Sequence, residues 1–262
     1  MGFKEKQGLR YFQLNIFKNQ PLFHAVLTRQ GGFSKPPYDS LNTGGTVGDD
    51  PQAVLKNHQR IYEVFGYDYY SRFDVWQVHG TNVICTDVPR PPQTAYAKAD
   101  GILTDQHNLS LFMRFADCVP ILLFDPKKKV IGIVHAGWQG TAHRIIQVAV
   151  EKMACCYGCQ PETLLVGIGP AICQDCYEVG SDVYHSFSSN YGGDAERFFK
   201  IRHGNYYLDL CGANMEILKK AGVTQIENAD ICTACHPEDW YSHRGQHGKT
   251  GRFGVLMSLD LH

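Results

Sequence analysis

An α+β fold, with mixed sheets covered by helices, is what this 262-residue sequence predicts, and three observations carry it. Short apolar runs rich in branched residues read as buried strands. Longer stretches place apolar residues at helical spacing beside helix start or stop residues. Strands and helices do not alternate strictly, which argues against a doubly wound parallel sheet.

In chain order, Phe23 to Thr28 is the first clear strand. Asp49-Asp50-Pro51 then supplies acidic capping residues and a first-turn proline, and Val54, Leu55, Ile61, Tyr62 and Phe65 follow at helical spacing. Val75 to Val78 and Asn82 to Thr86 predict a hairpin across a His79-Gly80 turn. Leu109 to Phe115, Val119 to Phe124 and Val130 to His135 are buried strands. A helix begins near Gly140-Thr141, with Ile145, Ile146, Ala149, Val150 and Met153 on one face. Leu164 to Ile168 is another strand, Leu210 to Ala221 a helix ending at Gly222, and Val223 to Ile226 the strand after it. The loop-like segments are 30–50, 87–98 and 236–252.

Composition narrows the function classes. An apolar fraction of 44% with evenly spread aromatics excludes a disordered chain. A net charge of -1 gives no basic footprint for a nucleic-acid polymer. No apolar run approaches the ~20 residues that span a bilayer, and the N-terminus lacks the apolar core of a secretory signal. A cytoplasmic protein is expected. Its ten cysteines then read as metal ligands, catalytic thiols or small buried hydrophobes rather than as disulfides.

Three segments place a reactive side chain at a strand end beside glycine or proline: Gln77-Val78-His79-Gly80, Ala116-Asp117-Cys118-Val119-Pro120 and Val134-His135-Ala136-Gly137-Trp138. Two imidazoles and a thiolate suit Zn²⁺ and leave a fourth tetrahedral position open, the pattern of a catalytic site. The same residues also fit a cysteine hydrolase, with Cys118 as nucleophile and His79 or His135 as base. Simple packing is the third reading, because the spacing matches no local zinc signature. Gly137-Trp138-Gln139-Gly140-Thr141 leads into a helix and offers an anion site near His135. The pairs Cys156/Cys159, Cys173/Cys176 and Cys232/Cys235 have Cys-x-x-Cys spacing. Two such pairs could together hold a structural Zn²⁺, but they lack the flanking glycine and basic residues of a zinc knuckle, and packing or incidental thiols is the preferred reading.

The segments VWQVHGTNV, AKADGILTD, ADCVPILLFD, VIGIVHAGWQGT, VGIGPAICQDCYEVG and YSHRGQHGKTGRF occur in that order. They resemble the family once named multicopper polyphenol oxidoreductase, or laccase-domain, proteins, now understood as purine nucleoside phosphorylases that also deaminate adenosine. The resemblance runs from about Phe23 to the C-terminus. It implies a single domain over residues 1–262, with two mixed β-sheets sandwiched between helices in α/β/β/α layers. It implies a catalytic Zn²⁺ on His79, Cys118 and His135, a nucleoside contact at Asn42, and cationic partners for phosphate or sugar at Arg29 and Arg244. The implied substrates are small: a nucleoside (adenosine, inosine or 5′-methylthioadenosine) and phosphate, with no nucleic-acid polymer and no membrane.

Two departures stand out. Gln139 replaces the arginine of the family's HAGWRG, and His58 follows Asn57 where the family reads NR. Both remove a positive charge, for which Arg60 or Arg144 would have to compensate. Copper oxidase chemistry, the older reading, needs four coppers and His-x-His pairs, and this chain has none of those pairs. Any oxidase activity in vitro would come from Cu²⁺ in the three-ligand site, since Cu²⁺ outcompetes Zn²⁺ at most N/S sites.

Overall fold

The structure is a computed structural model, and it describes residues 2–259. In chain order the strands and helices are β1 (Gly2–Lys6), β2 (Leu9–Gln13), β3 (Leu22–Leu27), α1 (Pro51–Phe65), β4 (Arg72–Asp74), β5 (Val83–Cys85), β6 (Gly101–Thr104), β7 (Ser110–Phe115), β8 (Val119–Asp125) and β9 (Val130–Ala136). They continue as α2 (Trp138–Ala142), α3 (Ile145–Tyr157), β10 (Leu165–Ile168), β11 (Glu178–Val179), α4 (Ser181–Tyr191), β12 (Phe199–Arg202), β13 (Asn205–Leu208), α5 (Leu210–Lys220), β14 (Gln225–Asn228) and β15 (Phe253–Leu259).

Two six-stranded sheets form the centre, ordered β1-β2-β3-β15-β7-β4 and β14-β10-β8-β9-β6-β5. Both are mixed: β4 runs parallel to β7 and β5 parallel to β6, among antiparallel neighbours. The alternation of side chains along each strand decides which face meets which layer. In β8, Val119, Ile121 and Leu123 pack toward α3 and α5, while Leu122 and Phe124 face the other sheet. In β7, Leu111, Met113 and Phe115 enter that same inter-sheet core, and Phe112 points out to α1. Strands buried on both faces read as continuous apolar runs, which is why their sequences show little alternation. The layers are α/β/β/α, as the resemblance implies.

Helix α1 starts as the sequence predicts. The Asp50 carboxylate accepts the Gln52 N–H at 2.9 Å, Pro51 occupies the first turn, and Gly66 at φ 81° closes the helix. The helix expected from Gly140 is instead two, α2 and α3, separated at His143-Arg144, where Arg144 takes a left-handed φ of 59°. A small third sheet, β11-β13-β12, stands outside the sequence-based expectation.

The hairpin expected across His79-Gly80 does not form. The chain crosses there from the first sheet, which it leaves after β4, to the second, which it enters at β5. Trp76 makes an isolated bridge with Lys98, and the amides of Val78, His79 and Gly80 turn onto the Asp100 carboxylate. One carboxylate thus takes the hydrogen bonds that a partner strand would otherwise supply.

A buried histidine on β3 ties the first sheet to pH. His24 Nε2 accepts the Leu14 N–H at 2.9 Å, so the ring must be neutral. Burial, and then the charge of Lys4, lower its pKa from 6.5 to about 3. Below pH 6.5 the unfolded chain binds a proton that the folded chain refuses, so stability is complete above that pH and falls as pH drops. The slope from this one group reaches about 1.4 kcal/mol per pH unit. Urea unfolding between pH 7 and pH 5 should therefore show a steeper loss for the native chain than for His24→Gln, and equal slopes would refute the assignment.

Candidate metal centre

Each of the three ligands sits where the chain leaves or enters a sheet. Cys118 lies between β7 and β8, at the crossing from one sheet to the other. Asp117 before it is held at φ 84°, with its carboxylate accepting the Thr233 hydroxyl and the Arg244 N–H, each at 2.6 Å. His135 lies near the end of β9, in register with Pro120 of β8. His79 projects from the crossing loop at φ 60°. The ligand atoms of His79, Cys118 and His135 all lie within 4.8 Å of one another.

Asp100, at the entrance to β6, organises this triad. Its Oδ1 accepts from the His79 N–H and lies 2.9 Å from His135 Nδ1, and its Oδ2 accepts from the Val78 and Gly80 amides. The Nδ1–H faces the Asp100 carboxylate and Nε2 is left for the thiol side, where loss of its proton would free a lone pair for a metal, the carboxylate–histidine arrangement typical of metal ligands. Burial pushes the Asp100 carboxyl up, but His135 and the loop amides outweigh it and hold the group below the usual carboxylate range. Sequence reasoning missed Asp100, although a lone acid inside the apolar run Ala99 to Leu103 was a signal available in it.

Burial likewise raises the Cys118 thiol, but the neighbouring imidazoles more than reverse this and bring it to about 6. His135 is opposite: burial lowers it, while Cys118 and Asp100 lift it to about 9. The site therefore favours a thiolate, the form a metal ion binds.

Gly137 keeps the triad open. A Cβ built there would come within 2.8 Å of His79 Cδ2 and 3.1 Å of Cys118 Sγ. Its φ of -78° suits any residue, so the requirement is purely steric. Gly137→Ala is expected to push His79 off the site and to lower bound zinc, measured by elemental analysis of folded protein.

Trp138 and Tyr177 line an open groove of about 640 Å³, with Arg244 and residues 178–183 along its walls. None of the three ligands lines it, but Trp138 follows Gly137, which packs on His79 and Cys118, and the Cys118 charge reaches Tyr177. Burial, then the charge of Cys118, pushes the Tyr177 phenol well up, so it remains a hydrogen-bond donor. Arg244 is exposed, lies over the Tyr177 ring at 5.2 Å and donates to the Glu178 carbonyl. Arg252, which sequence reasoning passed over within TGRF, is partly buried, and burial lowers its pKa against the opposing charges of Cys118 and Asp117.

The other two predicted contacts lie behind this surface. Asn42 is fully buried. Its amide donates to Gly44 O and Asp49, and accepts from the Gly44 and Arg252 amides. Arg29 donates to Asp39 O and Pro237 O and covers the Tyr241 ring at 4.7 Å.

Neither compensating arginine is free to serve the triad. Arg60 donates to Gly31 and Gln7 carbonyls, and Arg144 donates to Asn190 O and covers Tyr191. His58 is buried against Phe112 with Nε2 3.0 Å from Thr43 O. Burial first, then Arg114 and Arg72, lower it to about 3, so it brings no positive charge near neutral pH. Gln139 is exposed on α2, whose five residues make little more than one turn where the sequence offered an anion site.

The structure also brings together two of the pairs read as incidental thiols. The sulfur atoms of Cys173, Cys176, Cys232 and Cys235 lie within 4.8 Å of one another. Cys156 and Cys159 are not part of this group; Cys159 is buried near Asp125.

The family described as multi-copper polyphenol oxidoreductase laccase matches residues 23–260. The chain belongs to this family. The purine nucleoside phosphorylase of Deinococcus radiodurans is 37% identical over 238 residues, covering 90% of this chain and 88% of its own. The purine nucleoside phosphorylase YlmD of Bacillus subtilis is 34% identical over 92% of this chain and 90% of its own. The crystal structure of YlmD from Geobacillus stearothermophilus superposes with a TM-score of 0.91 at 30% identity, over 98% of each chain. The hypothetical protein YfiH of Bacillus licheniformis superposes at 0.90 and 31% identity, also over 98% of each. Among the described residues no helix is long and apolar enough to cross a membrane.

Proposed function

We propose that this chain is a zinc-dependent purine nucleoside phosphorylase. It would split adenosine, inosine or 5′-methylthioadenosine with phosphate, giving the free purine and the 1-phosphate of the ribose or methylthioribose, and would also deaminate adenosine at the same site. The observation that carries the reading is the convergence of His79, Cys118 and His135 beside an open groove. The names of the relatives support the substrate class. Two imidazoles oriented on one thiol favour a metal over a cysteine hydrolase, which needs a single base beside its nucleophile.

Those residues fit Zn²⁺: His79 and His135 would supply two nitrogens and Cys118 a thiolate, a three-ligand set that leaves one tetrahedral position for water or substrate. When bound, the ion supplies Lewis acidity and lowers the pKa of water from about 15.7 to about 7. The protein's own groups supply the rest. Asp100 fixes the His135 tautomer and the His79 loop. Trp138 and Tyr177 offer the groove aromatic surface for a purine, and the Tyr177 O–H stays protonated as a hydrogen-bond donor. Arg244 and Arg252 supply positive charge for phosphate, both hydrogen bonds of Arg252 leaving from Nη1 alone. Asn42 and Arg29 act on the nucleoside site through Arg252 and the 237–241 segment they brace. Asp117 is committed to Thr233 and Arg244, which removes the acid nearest in sequence from proton transfer.

The test is incubation of zinc-loaded protein with adenosine and phosphate, assayed for ribose 1-phosphate, adenine and inosine. Adenine with ribose 1-phosphate establishes phosphorolysis, inosine establishes deamination, and none of the three with zinc bound refutes the proposal.

A further inference from the structure

The chain carries a second group of soft ligands outside the triad. Cys173 caps a single 3-10 turn after β10 (Gln174–Cys176), and Cys176 is its last residue. Cys232 and Cys235 lie in the loop after β14. Neither pair alone can complete a metal site, but β10 and β14 run parallel and deliver their following loops side by side. Beyond the strands the two loops stay in step: Ala171 bridges Cys232 in parallel register, the Ala171 N–H donates to Ile231 O, and the Thr233 N–H donates to Ala171 O. The 59-residue separation of the two pairs is closed by sheet register.

We propose that Cys173, Cys176, Cys232 and Cys235 form a tetrathiolate Zn²⁺ site that fastens these loops together. The four sulfur atoms lie within 4.8 Å of one another, and Cys176 Sγ is 3.5 Å from Cys235 Sγ. A tetrahedral ion with Zn–S bonds of about 2.3 Å places its sulfurs about 3.8 Å apart, so this spacing needs little adjustment. A disulfide would need about 2.05 Å. A second observation points the same way: the Cys173 N–H donates to Cys232 Sγ at 3.3 Å. Amide donors aimed at sulfur stabilise a thiolate rather than a thiol. Cys235 is exposed, which gives the ion an entry path. Binding exchanges thiol protons for the metal and involves no oxidation.

The site would act on the triad from behind. The Ile172 N–H donates to Asp117 O, and the Thr233 hydroxyl donates to the Asp117 carboxylate. One residue from each fastened loop therefore holds Asp117, the residue that sets the direction of Cys118.

Elemental analysis of the full chain, purified under reducing conditions with zinc, should give two zinc ions per chain. Cys118→Ala and Cys235→Ser should each give one, and Cys235→His, which keeps a ligand, should restore two. In cobalt-loaded protein, the sulfur-to-cobalt charge-transfer band of a tetrathiolate should survive Cys118→Ala and be lost in Cys235→Ser. One zinc in the native chain with no loss in Cys235→Ser would overturn the proposal. So would four cysteines joined as disulfides by intact-mass measurement, or iron in place of zinc. None of these readouts depends on nucleoside turnover, so they stand apart from the proposed activity.

Discussion

Cys118→Ala is expected to abolish phosphorolysis and deamination together and to remove the zinc of the triad. The thiolate is the only anionic ligand of the three, and two neutral imidazoles alone hold Zn²⁺ weakly. The fold should survive, because a small partly buried thiol is replaced by a smaller side chain, at a cost of about 1 kcal/mol. Circular dichroism and elemental analysis on the same sample separate lost metal from lost structure. A chelator adds a second reading on the native chain. Activity that disappears on chelation and returns with zinc supports the metal centre, whereas activity that persists without metal would favour a cysteine nucleophile.

Asp100→Asn should produce the next largest effect, although Asp100 touches neither substrate nor metal. The carboxylate receives four hydrogen bonds, from the amides of Val78, His79 and Gly80 and from His135 Nδ1. An asparagine amide has one acceptor oxygen, so its NH₂ must face either the loop amides or the imidazole. Zinc affinity should fall about 10–100-fold, the usual cost of losing such an orienting partner, measured by competition with a calibrated chelator. Each buried donor left unpaired costs about 1–3 kcal/mol in addition. The sign of the pH dependence follows from the depressed carboxyl. Its stabilisation is present above the unfolded-state value of about 3.9 and is lost as pH falls through the lower folded value. The stability gap between native and Asp100→Asn should be complete at neutral pH and close below about pH 4. A gap that persists into acid would mean that shape alone, not charge, makes the difference.

The strands that read best from sequence are those whose environment is uniform. Val119–Asp125 and Val130–Ala136 are buried along their whole length, so apolar content alone marks them. The segment from Val75 to Val78 was misleading for the complementary reason. Its alternation resembles a strand, but its hydrogen bonds go to Asp100, Ala97 and the Arg114 backbone, the last through the Gln77 side chain. Local periodicity carries no record of such partners. The same limit explains Cys-x-x-Cys: each pair is visible locally, whereas its partnership depends on β10 lying beside β14.

By itself the sequence determined the class of fold and most buried strands, and it marked His79, Cys118 and His135 as candidates, because strand ends beside glycine or proline are local features with strong chemical character. The resemblance implied the set, and their convergence is seen only in the structure. Tertiary structure alone decided which acid serves the triad, which arginine feels the charge of Cys118 and which cysteines meet. Asp100, Arg252 and the Cys173–Cys235 group are brought into place by sheet register and loop crossing, and those contacts join residues far apart in the chain.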